Sequence, residues 1–404
     1  MIRYSRALCY CILTCLVTAC SNHKLQTSNF KPQTYHSPVD YEIVLAGNFG
    51  EPRPWHFHGG IDVKTGNVEG KHIYSVADGY VSRLTVNMYG FGNAIYVSHP
   101  DGNTSVYCHL QRFADVYEQQ LQRTGRDTLS MTFTPEQFPV KGGDLIAISG
   151  NTGHSTGPHL HLEIHDTETW VMRDPLEFLG AFVADTVAPQ AHSFMAVPVS
   201  GEGVFNGGTG KQTFGFGQPA DKRQHTTWTL QRPFTAWGRV GFALWADDYS
   251  EATYNHYGVR HTRLLVDGRE VFRSDVDGIP VSCQPEVNRW GDYDHWRRTR
   301  IWYMKSYREE GLRLPILHTS LQRGIVDFNE ERPYHLTYIL SDYQGNQSQY
   351  DFTVQGVRGP RVHAGRQHPY HASGRQHPYR VLDDYLLWQQ CLWPLYEWAS
   401  FSAF

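Results

Sequence analysis

Cysteine is scarce once the first twenty residues are set aside. Seven are present in 404 residues. Cys9, Cys11, Cys15 and Cys20 crowd the N-terminus, leaving Cys108, Cys283 and Cys391 widely spaced. That odd set excludes a disulfide framework, and no CxxC pair offers a structural metal knuckle. Each of the three reads as a small buried hydrophobe. Charge is also modest, at 19% of residues and a net −4, with no basic excess. A nucleic-acid footprint would show as a basic domain, so nucleic acid is excluded as a partner. No apolar run reaches the roughly 18 residues of a membrane-spanning helix. An HExxH helix is missing too, which excludes zinc proteases of the thermolysin type. With 40% hydrophobic and 14% aromatic residues, the chain has material for real cores, and disorder throughout is excluded. Its 37 glycines and 24 tyrosines favour strands and turns over long helices. The length predicts two or three domains.

Residues 1–20 read as an address. Arg3 and Arg6 precede an apolar stretch, and Val17-Thr18-Ala19-Cys20 closes it. These four residues resemble a bacterial lipobox, which implies lipidation of Cys20, a membrane anchor through it, and an envelope location facing the periplasm. Two or three acyl chains, at about 0.8 kcal/mol per buried CH₂, anchor a protein stably. Residues 21–39 are then a polar tether.

From 40 to 182 the chain is dense in glycine, histidine and short β-type runs. Residues 95–98 and 105–108 flank Pro100-Asp101-Gly102-Asn103, a hairpin signal. Residues 145–148 and 160–164 predict further strands, and 115–123 predicts a helix. A linker is expected at 186–190. A second β-rich block follows over 190–358, with strands expected at 240–245, 263–266, 271–272, 336–340 and 350–354 and a tight turn at Asp267-Gly268. These runs predict a mainly β fold, with a β-sandwich-like domain over 190–358. The tail over 360–404 breaks this pattern. It repeats Gly365-Arg366-Gln367-His368-Pro369-Tyr370 at 374–379 and ends rich in Trp and Leu. Its composition fits a frameshift product or a short amphipathic docking helix.

Three short motifs carry the chemistry: His56-Phe57-His58-Gly59-Gly60-Ile61-Asp62, then Tyr107-Cys108-His109-Leu110, then the run from Gly150 through His154, Pro158 and His159 to Glu163. Side chains alternate along a strand, so His159 and His161 share one face while Leu160 and Leu162 share the other. His58 and Asp62 share a parity, and so does His56. Two histidines and one aspartate make a three-ligand set for Zn²⁺ that leaves a fourth position open. On parity alone either His56 or His58 could fill it. Glycines in the third motif permit tight turns and close backbone approach.

These motifs together resemble the lysostaphin-type (LytM-like) zinc endopeptidases, which hydrolyse peptide bonds in bacterial peptidoglycan. The resemblance covers about residues 40–182 and implies a compact antiparallel β-sheet metallopeptidase domain there. It implies that His58, Asp62 and His161 bind zinc, with His56 lining the groove or standing behind the ligands. It implies that His109 and His159 are the catalytic pair. It further implies peptidoglycan stem peptides as substrate. The alternative function within this resemblance is a non-catalytic LytM-like regulator that binds and activates a cell-wall amidase. Such regulators typically lack the metal residues. The trailing β block is expected to position the enzyme or to bind the wall or a cell-wall protein partner. Residues 115–138 read as an insertion that walls the groove, and Glu163 as structural.

Overall fold

The computed structural model describes residues 33–124, 130–217 and 227–358. The leader, its Cys20, most of the tether and the repeat-bearing tail lie outside the described residues. None of the described helices is long and apolar enough to cross a membrane.

The alternating runs of the first block form strands that pair antiparallel throughout. In space their order is Leu45–Gly47, Ile61–Lys64, His159–Asp166, Asn103–Cys108, Ala94–Ser98, Gly79–Thr85 and Ser130–Thr132. A smaller sheet of His72–Tyr74, Leu145–Ser149 and Leu110–Phe113 packs against it. Ile61, Val63, Leu160 and Leu162 from the large sheet and Ile73, Leu110 and Ile146 from the small one are fully buried in the shared core. Each such side chain contributes roughly 1.5–3 kcal/mol on leaving water. The opposite face of His159–Asp166 carries His161, Glu163 and His165, all buried. One strand thus has an apolar face that fixes its position and a polar face held rigidly behind it.

The predicted helix is Asp115–Thr124, with Tyr117 and Leu121 buried. Beyond it, Ser130–Thr132 extends the sheet along Gly79–Thr85, the third strand along from His159–Asp166. The insertion therefore caps the far edge of the sheet, because an unpaired edge there is the nearest free set of backbone groups.

The second block is one large sheet folded over a phenylalanine-rich core. Its order is Gln212–Gly215, Gln190–Phe205, Thr227–Tyr249, Gln347–Gly356, Pro333–Ser341, His261–Val266, Arg269–Asp275 and Leu317–Thr319. Phe194, Phe205, Phe234, Phe242 and Phe352 pack together in its middle. Asp267 and Gly268 both have positive φ, 50° and 76°, as the turn between His261–Val266 and Arg269–Asp275 requires.

The two blocks share more than a linker. Gly278–Pro280 of the second pairs with Val171–Arg173 of the first, so one sheet continues across both. Arg260 binds Asp174 at 2.7 Å and Glu177 at 3.1 Å. Phe49, Phe57 and Met172 of the first block pack in the core of the second.

Candidate metal centre

Three elements converge on one point. Ile61–Lys64 and His159–Asp166 pair in a register that sets Asp62 directly opposite His161. His58 enters from the turn before Ile61–Lys64. That turn needs its glycines: a Cβ on Gly60 would stand 2.1 Å from the Leu162 carbonyl oxygen, and one on Gly59 2.3 Å from Glu163 Oε1. The backbone so brought in places His58 Nε2 3.0 Å from Asp62 Oδ1 and 3.0 Å from His161 Nδ1. His161 Nδ1 is 2.8 Å from Asp62 Oδ1. All three side chains are buried.

Each imidazole is fixed through its other nitrogen. His58 Nδ1 donates to the Asn48 carbonyl at 2.6 Å. His161 Nε2 donates to Glu163 Oε1 at 2.9 Å, and Glu163 Oε2 takes a second hydrogen bond from His165 Nε2 at 2.5 Å. On Asp62, Oδ2 is held by Arg53 at 3.2 Å, leaving Oδ1 for the shared point. With Nδ1 of His58 committed as a donor, its Nε2 presents a lone pair beside the Asp62 oxygen. Only a proton or a cation relieves that crowding. Burial opposes charge on Asp62, but the imidazoles of His58, His159 and His161 hold its carboxyl well below the usual carboxylate range. Burial also opposes charge on His161, yet its bonds to Asp62 and Glu163 outweigh burial and push it up to about 9. A proton on His161 thus does part of what a cation would do there. The donor set, two imidazole nitrogens and one carboxylate oxygen with carboxylate and carbonyl support behind them, fits Zn²⁺ chemistry.

Two more histidines flank this point. His109 follows Asn103–Cys108 where the chain crosses to the smaller sheet. It adopts a φ of 60°, unusual for a residue with a side chain. Its backbone N–H is held by the Phe91 carbonyl at 2.8 Å, and its Nδ1 donates to the Thr152 carbonyl at 2.8 Å. His159 Nδ1 donates to the Gly157 carbonyl at 2.8 Å, and its Nε2 lies 3.4 Å from Asp62 Oδ1. The His109 ring lies 4.8 Å from that of His159 and 5.8 Å from that of His161. Burial, with His161 and His159 alongside, pushes the His109 imidazole down to about 3 and keeps it neutral.

The five sequence-predicted site residues therefore converge. His56 does not join them: it is exposed, and its Nδ1 turns back to the Pro54 carbonyl at 3.0 Å. His154 is exposed on the glycine loop. Cys108 is buried, and burial pushes its thiol well up, as expected of a small hydrophobe. Sequence reasoning missed Asn48 and Arg53, which precede the first motif and carry no spacing signal. It left Glu163 without its partners.

Residues 56–127 match the family model described as Peptidase family M23. The matched stretch holds His58, Asp62 and His109 and ends before His159 and His161. Among curated proteins, the chain is 32% identical over 109 residues to the DD-carboxypeptidase/endopeptidase Mpg of Neisseria meningitidis, covering 27% of this chain and 20% of that protein. It is 32% identical over 131 residues to the peptidoglycan DD-endopeptidase ShyC of Vibrio cholerae, covering 31% of this chain and 25% of that protein. The chain thus spans about a fifth to a quarter of the length of these relatives. Among solved structures, the catalytic domain of the antimicrobial peptidase lysostaphin from Staphylococcus simulans aligns at 23% identity over 34% of this chain and 92% of that one, with a TM-score of 0.26. Over residues 56–127 the chain is thus similar to peptidase family M23, the LytM type.

Proposed function

We propose that this chain is a zinc-dependent endopeptidase that hydrolyses peptide cross-links of bacterial peptidoglycan in the cell envelope. The observation that carries this reading is the convergence of His58 Nε2, Asp62 Oδ1 and His161 Nδ1 within 3.0 Å of one another beside two further imidazoles. The named activities of the Mpg and ShyC relatives supply the substrate class. Lipidation of Cys20 is the proposed means of attachment.

In this reading His58, Asp62 and His161 would hold Zn²⁺, which would supply a Lewis acid for a scissile carbonyl and a lowered pKa, toward about 7, for the attacking water. His109 and His159 do the proton work. Both give Nδ1–H to backbone carbonyls, so the lone pair of each falls on Nε2, which in His159 lies 3.4 Å from Asp62 Oδ1. A neutral imidazole held this way accepts a proton from water and returns it to the leaving amine. The carbonyls of Thr152 and Gly157 hold these rings in the tautomer that the task needs.

The test is metal analysis together with mass spectrometry of cross-linked muropeptides after digestion. The purified chain should hold one zinc and cut cross-links. His161→Ala should lose both. His109→Ala should keep the metal and lose at least about 100-fold in rate, the usual worth of a general base. Zinc bound without cleavage in the unaltered chain would point instead to a latent or regulatory protein.

A further inference from the structure

Apart from the His58 cluster, one other set of ligand-type side chains comes together among the described residues. Carboxylate oxygens of Asp185, Asp248 and Asp342 lie within 4.8 Å of one another. The three come from distant parts of the chain. Asp185 lies in the linker before Gln190–Phe205, Asp248 is next to last in Thr227–Tyr249, and Asp342 follows Pro333–Ser341. They face a cavity between the two blocks, which Asn48, Tyr257 and Tyr343 also line.

This cluster is short of positive charge. Asp342 accepts from the backbone and side-chain amides of Asn346 at 2.9 and 2.7 Å. Asp185 accepts from the Val187 N–H at 2.9 Å. Asp248 is 5% exposed, and its Oδ1 has no hydrogen-bond partner. Among the described residues no lysine or arginine pairs with any of the three. Arg260 lines the same cavity but is committed to Asp174 and Glu177. Asp247 and Glu251 add further negative charge nearby. Burial, and then the neighbouring carboxylates, push Asp185 up to about 7. Buried carboxylates without a counter-charge are costly unless they are protonated or hold a cation.

We propose that Asp185, Asp248 and Asp342 form a second metal site, which takes a hard divalent cation and ties the linker to the far block. The donors are all oxygen, with no histidine or thiol in the set, which selects against zinc and for calcium-type coordination. Asp248, which lines the cavity with one buried oxygen left without a partner, is the group that this cation satisfies. Its effect is mechanical. Asp185 belongs to the linker, Asp248 to a long central strand and Asp342 to a turn closed by Asn346, so one ion cross-links three separate segments. This site stands or falls apart from the hydrolytic reading.

The probes are Ca²⁺ and Tb³⁺. The full chain is freed of divalent ions on a chelating resin and reloaded with one equivalent of Zn²⁺ so that the His58 cluster is filled. Calcium is then titrated while melting temperature and bound metal are followed. One Ca²⁺ per chain should bind, and the melting temperature should rise by on the order of 5 °C at saturation. Terbium should bind in its place and luminesce on excitation of Tyr257 and Tyr343. Asp248→Asn and Asp342→Asn should each abolish the calcium response. Asp248→Asn should melt no lower than the unaltered chain without calcium, because it replaces a buried carboxyl that lacks a full set of partners with an amide of the same shape. An unaltered chain that shows neither calcium uptake nor a melting shift overturns the proposal, whether or not the variants fold. So does an Asp248→Asn variant that keeps the full response.

Discussion

At the scale of the residue, Glu163 has the most consequence for its place in the sequence. It stands two positions after His161 on the same face of an unbroken strand, and its two oxygens take His161 Nε2 and His165 Nε2. A carboxylate behind a metal-binding imidazole sets its tautomer and raises its basicity. Glu163→Gln keeps the shape but loses the charge. Metal affinity should fall about 10- to 100-fold, as read by competition with a chelating dye, while the melting temperature changes little. An unchanged affinity would leave Glu163 a purely structural role. The His161 proton gives a pH dependence with a definite sign. Burial lowers its pKa and the bonds to Asp62 and Glu163 raise it, to a net value of about 9, so the metal-free residue is protonated at pH 7. A cation taking Nδ1 must displace that proton. Zinc affinity should therefore rise with pH up to about 9, with close to one proton released per ion at pH 7. Calorimetry in buffers of different ionisation enthalpy measures that number. Strand parity put His159 and His161 on one face but left His56 and His58 both open, and it was the family resemblance that implied His58 beside Asp62 and His161. The Asn48 carbonyl and Arg53 were not legible, since their approach depends on how the preceding turn folds back.

At the scale of the element, the turn that delivers His58 is held from outside its own sheet. The Phe57 N–H donates to Gln284 Oε1 at 2.5 Å, and the Trp55 N–H donates to Asn288 Oδ1 at 3.1 Å. Phe57 is fully buried and lies 6.0 Å from the Trp290 ring. Both amides and the ring are thus gripped by the segment that holds the short helix Val287–Trp290. Gln284→Ala leaves a buried N–H unpaired, which costs about 1–3 kcal/mol. Denaturant unfolding should register that loss, and zinc occupancy at limiting metal should fall with it because His58 is the next residue. Stability lost with full occupancy retained would show that the grip does not reach the ligand. Strand positions themselves were legible wherever alternation and turn residues agreed, as at Ala94–Ser98, Asn103–Cys108 and the Asp267-Gly268 turn. The 23-residue length of Thr227–Tyr249 was not. This strand changes partners along its course, parallel to Gln347–Gly356 over 227–236 and antiparallel to Gln190–Phe205 from 236 onward, and periodicity does not record a change of partner.

At the scale of the whole molecule, the sequence reads as two blocks in series, while the structure interleaves them. A two-block reading follows from composition, because the linker and the glycine-rich turns are local signals and shared burial is not. Yet Gly278–Pro280 continues the first sheet, Phe49, Phe57 and Met172 fill the second core, and the Tyr257 hydroxyl donates to the Leu45 carbonyl at 3.0 Å. Lys64 reaches across to Asn255 Oδ1 at 2.6 Å, and Arg260 pairs with Asp174 and Glu177. Separating the blocks would expose the Phe57 ring and open the edge of Val171–Arg173. Exposing a phenylalanine of this kind costs roughly 1.5–3 kcal/mol, a sizeable share of the 5–15 kcal/mol that holds a domain together. The two blocks should therefore unfold as one. Calorimetry of the intact chain should give a single transition with equal calorimetric and van't Hoff enthalpies. A chain cut at residue 188 should melt lower and bind an exposed-hydrophobe dye before it melts. Two resolved transitions in the intact chain would mean that the shared sheet and the Phe57 contact carry little of its stability, and that the first block stands alone.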